Sequence, residues 1–343
     1  MRNRVSAGLS LICALIASHS VVAQARTDST PVTHKTRAPI SIGNYPNVAG
    51  LRLNFRDRNL ELARGVNITI WSPYKRATGT VRGLAIGLPT TGAGALHGIS
   101  LAPIALSSSH DIQGIAIAGI GLGASGLIKG LAVGGLGLGT SGAIDGIAIG
   151  GLGVGAQGDL RGLMIGSIAA VAGGSIRGIV LTGIATGAAR DFTGLAMSGI
   201  GTVVAGHFKG IALSGAATAV GGNLTGLSLS GAAAAVGSLH GIAVAGLGIG
   251  TVEIHGLAIA PAVGAMSVNG IVISPVLMRI RPDGEFRGAS ISAFNYIRGE
   301  QHGLNIGLIN YARSVDGLQI GLINIIGNAK SHKVLPIVNW GGK

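Results

Sequence analysis

Apolar and polar positions recur in this chain with a period of 16 residues. The repeated phrase is Gly, then Ile or Leu, then a small residue, then Ile, Val or Leu. It begins at Gly98, Gly114, Gly130, Gly146, Gly162, Gly178, Gly194, Gly210 and Gly226. Looser copies continue to Gly317 and reach back to Gly50. A fixed period over most of a chain predicts a repeat architecture.

Within one unit, hydrophobic and small residues alternate in two short stretches, for example Ile147–Gly150 and Leu152–Gly155. This alternation is typical of strands. The phase of the alternation breaks between the stretches at a glycine, which suits a corner. The breaks fall at Gly135, Gly151, Gly183, Gly199, Gly215 and Gly231. Each unit therefore predicts a coil made of strand, corner, strand and turn.

Stacking such coils gives an all-β parallel β-solenoid of about 16-residue coils, with residue i above residue i+16. We expect the large aliphatic side chains to point inward. The predicted inward rows run through Ile115, Leu131, Ile147, Leu163 and onward to Leu227, and through Ile117, Val133, Ile149, Ile165 and onward to Leu229. The predicted outward rows are the small residues between them, including Ala116, Ala132, Ala148, Gly150, Ala212 and Ser214.

The alternative fold is an outer-membrane antiparallel β-barrel, which also uses alternating strands and glycine-containing turns. It would need a bulge in every strand, because every unit breaks its alternation at the same place. The chain also ends in Asn339–Lys343 without a terminal aromatic residue. The pattern therefore favours the solenoid.

The first 25 residues read as a cleaved secretory signal: Arg2 and Arg4, an apolar run, and Ala23-Gln24-Ala25. Behind it we expect a basic N-terminal cap with irregular first repeats (26–82), the glycine-rich array (83–275), and C-terminal repeats with a cap (276–343). Such a signal predicts an exported protein of the periplasm, outer membrane or cell surface.

Composition and charge reduce the number of function classes that suit this chain. Of 343 residues, 62 are glycine, 3% are aromatic and 11% are charged, which disfavours a conventional enzyme core. The net charge is +13, yet five bases balance five acids between residues 83 and 275. A neutral middle argues against nucleic acid. Anionic envelope polymers would suit the basic ends, and the outward Ala/Gly/Ser face predicts cover by a second copy, an envelope component or lipid.

The motifs that carry chemistry elsewhere have ordinary explanations here. GxGxxG occurs at residues 121–126, 137–142 and 153–158, repeating without a following helix, so we expect corners and no cofactor. His240 and His255 fall one coil apart, and two ligands are too few for a metal site. The carboxylates Asp111, Asp145, Asp159, Asp191 and Glu253 show no converging pair. We therefore expect no catalytic residues.

The residue before each phrase glycine is usually hydrophilic, from Lys129 to Asn269, which predicts a polar stripe along one edge.

Two segments lengthen the repeat, and loops inserted into a scaffold often make contacts. The candidate contact residues are Trp71, Tyr74, Lys75, Arg76, Arg279, Arg281, Phe286 and Arg287.

The C-terminal part contains one phrase twice, at Gly303–Asn310 and Gly317–Asn324. It resembles the bacterial surface-repeat proteins with Gly-Leu-Gln-Ile-Gly-Leu-Ile-Asn units, and this resemblance implies an envelope protein without an assigned activity. The 16-residue array is similar but lacks the closing Asn. The spacing of Asn310 and Asn324 predicts an internal amide ladder.

Together these features predict an exported, non-enzymatic structural or interaction protein of the bacterial envelope or surface. The alternatives are an outer-membrane barrel, porin-like or anchoring, and a solenoid that binds or cleaves polysaccharide.

Overall fold

The computed structural model describes residues 38–73 and 77–341, which belong to one compact unit. The described chain is all β, with 0% helix. None of its segments forms a helix that is long and apolar enough to cross a membrane. The predicted signal, residues 1–25, lies outside the described residues.

The strands before the regular array are β1 (Ala38–Ile42), β2 (Asn47–Arg56), β3 (Leu62–Trp71), β4 (Thr80–Gly87), β5 (Thr90–Ala93), β6 (Ala95–Ala102) and β7 (Ala105–Ser108). Those of the array are β8 (Ile112–Ala118), β9 (Gly121–Ala124), β10 (Ile128–Gly134), β11 (Gly137–Thr140), β12 (Ile144–Gly150), β13 (Gly153–Ala156), β14 (Leu160–Gly166), β15 (Ala169–Ala172), β16 (Ile176–Thr182), β17 (Ala185–Ala188), β18 (Phe192–Ser198), β19 (Gly201–Val204), β20 (Phe208–Ser214), β21 (Ala217–Ser230), β22 (Ala233–Ala245) and β23 (Gly248–Ile259). Continuous strand then winds through several coils as β24 (Ala262–Ile326), and β25 (Val334–Gly341) follows.

The strands stack as a parallel β-solenoid, which confirms the predicted fold. Strand β12 pairs in parallel with β10 below and β14 above, with Gly146 beside Gly130 and Gly162. The shorter β13 pairs likewise with β11 and β15. Residue i+16 therefore lies over residue i. Parallel stacking of successive coils excludes the antiparallel barrel for the described residues.

The glycine that opens each phrase is a corner of the coil. We number positions in a coil from this glycine, which is position 0. Every such glycine from Gly50 to Gly317 has a positive φ, and that of Gly146 is 136°. A side chain on Gly146 would also overlap the carbonyl oxygen of Gly130 in the coil below. The predicted corners, such as Gly151, are bends between the two strands, but without a positive φ.

The predicted inward and outward rows are reversed. Ala148 is fully buried, whereas Ile147 is 42% exposed. The same holds along the array: the small row through Ala116, Ala132 and Ala212 is buried, and the large row through Ile115, Ile179 and Ile211 is exposed. The prediction was wrong because it followed alternation only after the corner glycine. The buried positions −2, +2 and +4 have the same parity, so Ile144 before the glycine already marks the inward side.

Every coil of the array buries a large side chain at one fixed position, and most of the other core side chains are smaller. The large side chain is at position −2, for example Ile144, Leu160 and Phe192. It faces small side chains at most +2 and +4 positions, with Met164 as an exception at +2, and Leu, Val, Ala or Thr at +8. Phe192 and Phe208 stack with their ring centroids 4.8 Å apart, the spacing of neighbouring coils. The coil is too narrow for large side chains on all its sides.

Polar residues replace apolar ones in the core at both ends of the stack. Near the N-terminus, Arg52 is fully buried and forms an ion pair with the buried Asp57. Near the C-terminus, Asn310 donates to Asn324 at 2.7 Å, which confirms the predicted amide ladder. Asn295 extends the ladder by donating to Asn310 at 2.7 Å. Strand β25 folds back antiparallel onto residues 317–325 and pairs with the last coil.

Candidate interaction surface

The outward-pointing side chains of the first strands of successive coils form a continuous aliphatic surface. Its side chains stand at positions +1 and +3, and the corner residue at +6 adds a third row. We call these three rows, over the coils of residues 98–259, the aliphatic face. Its exposed members include Ile99, Ile115, Ile117, Ile120, Leu136, Ile147, Leu152, Ile168, Ile179, Ile184, Met197, Ile200, Ile211, Leu229 and Ile242.

Backbone pairing holds these rows in line. Ile147 is in register with Leu131 below and Leu163 above. At the corner, the amide of Leu152 donates to the carbonyl of Leu136 at 2.6 Å, and the amide of Ile168 to that of Leu152 at 2.7 Å. The +1 row from Ile115 to Ile242 is roughly 38 Å long at about 4.8 Å per coil. Monomeric soluble proteins rarely expose an apolar strip of this length.

An open groove of about 990 Å³ runs along the aliphatic face. One wall is the +3 row, including Leu181, Met197 and Leu213, and glycines such as Gly199 form the other side. Hydroxyls lie beneath it: Ser198 bonds to Thr182 at 3.1 Å and to Thr186 at 2.9 Å. The same zigzag continues through Thr202, Ser214, Thr218 and Ser230. These hydroxyls satisfy one another, so the groove presents mainly hydrocarbon.

A polar row borders the aliphatic face, as the sequence predicts. It occupies position −1, on the other side of the corner glycine from the +1 row, and its members are in register. They are Lys129, Asp145, Arg161, Arg177, Thr193, Lys209, Thr225, His240, His255 and Asn269. We call this line the basic row, because it holds four bases and one acid. Its bases lie beside the apolar strip between Lys129 and Lys209, and Arg161 among them is paired with Asp159 at 2.8 Å.

The two histidines of the basic row are one coil apart, which confirms their predicted placement. Their rings stack with centroids 4.8 Å apart and an interplanar angle of 4°. Within the described ranges, no group of three or more His, Cys, Asp or Glu is arranged to hold a metal ion. His302, at the equivalent position nearer the C-terminus, contacts Glu285 and Asp316, each at 3.3 Å.

Four of the candidate carboxylates lie at position −3, and the three aspartates among them bind the backbone of the next coil. Asp111 accepts the amide of Leu127 at 2.7 Å, Asp159 that of Ser175 at 2.9 Å, and Asp191 that of His207 at 2.8 Å. The hydrogen bond from Ser175, helped by Arg161, lowers the pKa of Asp159 below its usual value. These side chains therefore close the turn between coils.

The predicted contact residues that the structure describes lie in two separate segments, at residue 71 and at residues 279–287. Trp71 is 45% exposed and takes position +6 of its coil, while Tyr74, Lys75 and Arg76 lie outside the described residues. Arg279, Arg281 and Arg287 are exposed, but their segment continues as strand within β24. Phe286 is fully buried, because it stands two residues before Gly288 and fills the slot of Phe192 and Phe208. It is therefore a core residue.

The sequence reasoning missed the aliphatic face and the buried Arg52. Both follow from the position relative to the corner glycine: Arg52 is at +2 from Gly50, the buried position held by Ala148 elsewhere. Asn67 accepts from Arg52 at 2.9 Å. The polar network thus lies where the core nears its N-terminal end.

Comparison with family models, with curated proteins and with solved structures finds no match to this chain. The resemblance of the C-terminal phrase to surface-repeat proteins stays a prediction. The geometry of the solenoid surface is therefore the basis for any functional assignment.

Proposed function

We propose that this protein is an exported, non-enzymatic interaction protein of the bacterial envelope or surface. It acts by presenting the aliphatic face of a rigid β scaffold to an apolar partner. The observation that carries this proposal is the row of half-exposed Ile and Leu side chains from Ile115 to Ile242. Leaving such a strip in water is unfavourable by roughly 25 cal/mol per Å² of apolar area.

The placement of the carboxylates supports a non-enzymatic role. Asp111, Asp159 and Asp191 each accept a hydrogen bond from the backbone of the next coil. Carboxylates used in this way act in folding. Glycoside cleavage would need two carboxylates facing one another across a substrate.

Fractionation of producing cells tests the proposal. We expect the protein in the envelope fraction, and a triple variant Ile147→Gln, Ile179→Gln and Ile211→Gln in the soluble periplasmic or secreted fraction. The matched control changes three exposed bases outside the aliphatic face, Arg58, Arg190 and Lys330, to Gln. Equal retention of the parent and the isoleucine variant would show that the aliphatic face contacts nothing in the envelope.

A further inference from the structure

We infer that the partner of the aliphatic face is an anionic lipid surface, on which the solenoid lies lengthwise. This inference rests on the proposed function and names the partner of the same surface. Two observations carry it together: the apolar strip, and the basic row beside it. An amphipathic surface of this kind buries its apolar part at the boundary of the acyl chains and places its cations among the headgroups.

The geometry brings both parts to the same membrane. Positions −1 and +1 are two residues apart across the corner glycine and both point outward. Lys129, Arg177 and Lys209 are exposed, and each stands beside an aliphatic residue of the +1 row. Long Lys and Arg side chains can reach phosphates while their stems cover hydrocarbon. The bases of the row, from Lys129 to Lys209, would therefore contact headgroups beside the middle coils of the aliphatic face.

The charge distribution favours lipid over a second copy of the chain. On the opposite side, the third row at +6 and its neighbours at +5 and +7 carry no charged residue in the coils of residues 98–259. The acids Asp111, Asp159, Asp191 and Glu253 are at position −3, beyond the basic row and away from the aliphatic face. In two copies joined through their aliphatic faces, each basic row would offer the other one carboxylate, Asp145, against four bases. Lipid phosphates supply that counter-charge.

Co-flotation of the purified protein with vesicles tests the inference. One vesicle type is pure phosphatidylcholine, and the other contains 30% phosphatidylglycerol. We expect binding to the anionic vesicles to be at least about tenfold stronger, since each Lys or Arg near such a surface adds attraction. Salt at 1 M should remove most of this difference, because it screens the basic row.

Two variants separate the contributions. Lys129→Gln, Arg177→Gln and Lys209→Gln together should lower binding to anionic vesicles by roughly tenfold. The control with Arg58, Arg190 and Lys330 changed to Gln has the same net charge as this basic-row variant. It should nevertheless bind as the parent does. The variant Ile147→Gln, Ile179→Gln and Ile211→Gln should fail to float with either vesicle. Circular dichroism of each variant checks that the solenoid is intact.

Several outcomes would overturn the inference. One is equal binding of the parent to both vesicle types. Another is equal loss in the basic-row variant and its charge-matched control, which would indicate non-specific attraction. A third is a parent that does not bind either vesicle type and sediments as a discrete oligomer, while the isoleucine variant does not form that oligomer. In that case the aliphatic face binds a second copy, so the lipid inference fails while the proposed interaction function stands.

Discussion

The glycine at position 0 carries two constraints at once. Gly146 has a φ of 136°, which residues with a side chain rarely adopt. A Cβ atom at this position would also overlap the carbonyl oxygen of Gly130. Gly146→Ala should therefore destabilise the protein by more than the ~1 kcal/mol of an ordinary strained glycine. Denaturant unfolding followed by circular dichroism measures the change.

The matched control is Gly155→Ala. Gly155 has no atom within 4 Å of where a Cβ would stand, and its φ is not positive. We expect no measurable loss there. Equal losses at Gly146 and Gly155 would contradict the assignment of the corner to position 0.

Burial along the first strand gives a second prediction at the scale of residues. Ala148→Asp places an unpaired carboxylate in the core and should lower the free energy of unfolding by about 3 kcal/mol or more. Ile147→Asp places the same charge on the exposed side and should cost less than about 1 kcal/mol. Urea midpoints of the two variants compare them directly. A larger loss at Ile147 than at Ala148 would restore the opposite orientation of the strand.

The turn between coils depends on the carboxylate at position −3. The pKa of Asp159 is lowered in the folded state, chiefly because its carboxylate accepts the amide of Ser175. Its stabilisation is thus present above the unfolded-state pKa and is lost as pH falls through the folded-state pKa. Asp159→Ala should cost about 0.5–2 kcal/mol at neutral pH, as for a lost helix cap, and less in acid.

Unfolding of parent and variant at several pH values between 2 and 7 measures this effect. Asp145→Ala is the control, because Asp145 lies in the basic row and not at position −3. A stability difference between parent and Asp159→Ala that stays constant down to pH 2 would argue against a role for the ionised carboxylate.

The last coil is held by polar side chains as well as by strand pairing. Asn324 is fully buried and accepts from Asn310 at 2.7 Å. Asn324→Ala leaves the amide of Asn310 without this acceptor, at a cost of about 1–3 kcal/mol. Asn328→Ala, at an exposed position in the turn before β25, is the control and should be neutral. Hydrogen exchange of residues 317–341 would show the loss locally, and unchanged exchange would rule out a structural role for the ladder.

At the scale of the whole molecule, β25 closes the C-terminal end of the stack. It pairs antiparallel with residues 317–321 and 324–325, so most of the edge of the last coil is paired over that stretch. Deleting residues 327–343 should expose this edge and cause end-to-end association, since open edges pair with other strands. Analytical ultracentrifugation measures the assembly state. Val334→Lys keeps the pairing and should stay monodisperse, whereas association of both variants would implicate lost apolar cover instead.

The period of 16, the parallel stack, the polar row and the Asn310–Asn324 ladder could all be predicted from the sequence. Each depends only on which residues stand one period apart, and a repeat makes that spacing explicit. The direction of side chains could not be predicted in this way. Alternation shows that Ile147 and Ala148 point to opposite sides, but does not show which side is the interior.

Tertiary structure decided that direction through the width of the coil. With a positive-φ corner at position 0, the large side chain at position −2 already fills much of the interior, and positions +2 and +4 hold small residues in most coils. Ile147 and its equivalents are therefore placed outside, although their hydrophobicity alone favours burial. The same geometry buries Phe286 and Arg52 and creates the aliphatic face. The sequence by itself determined the register of the stack, and packing across the narrow core determined which surface meets the surroundings.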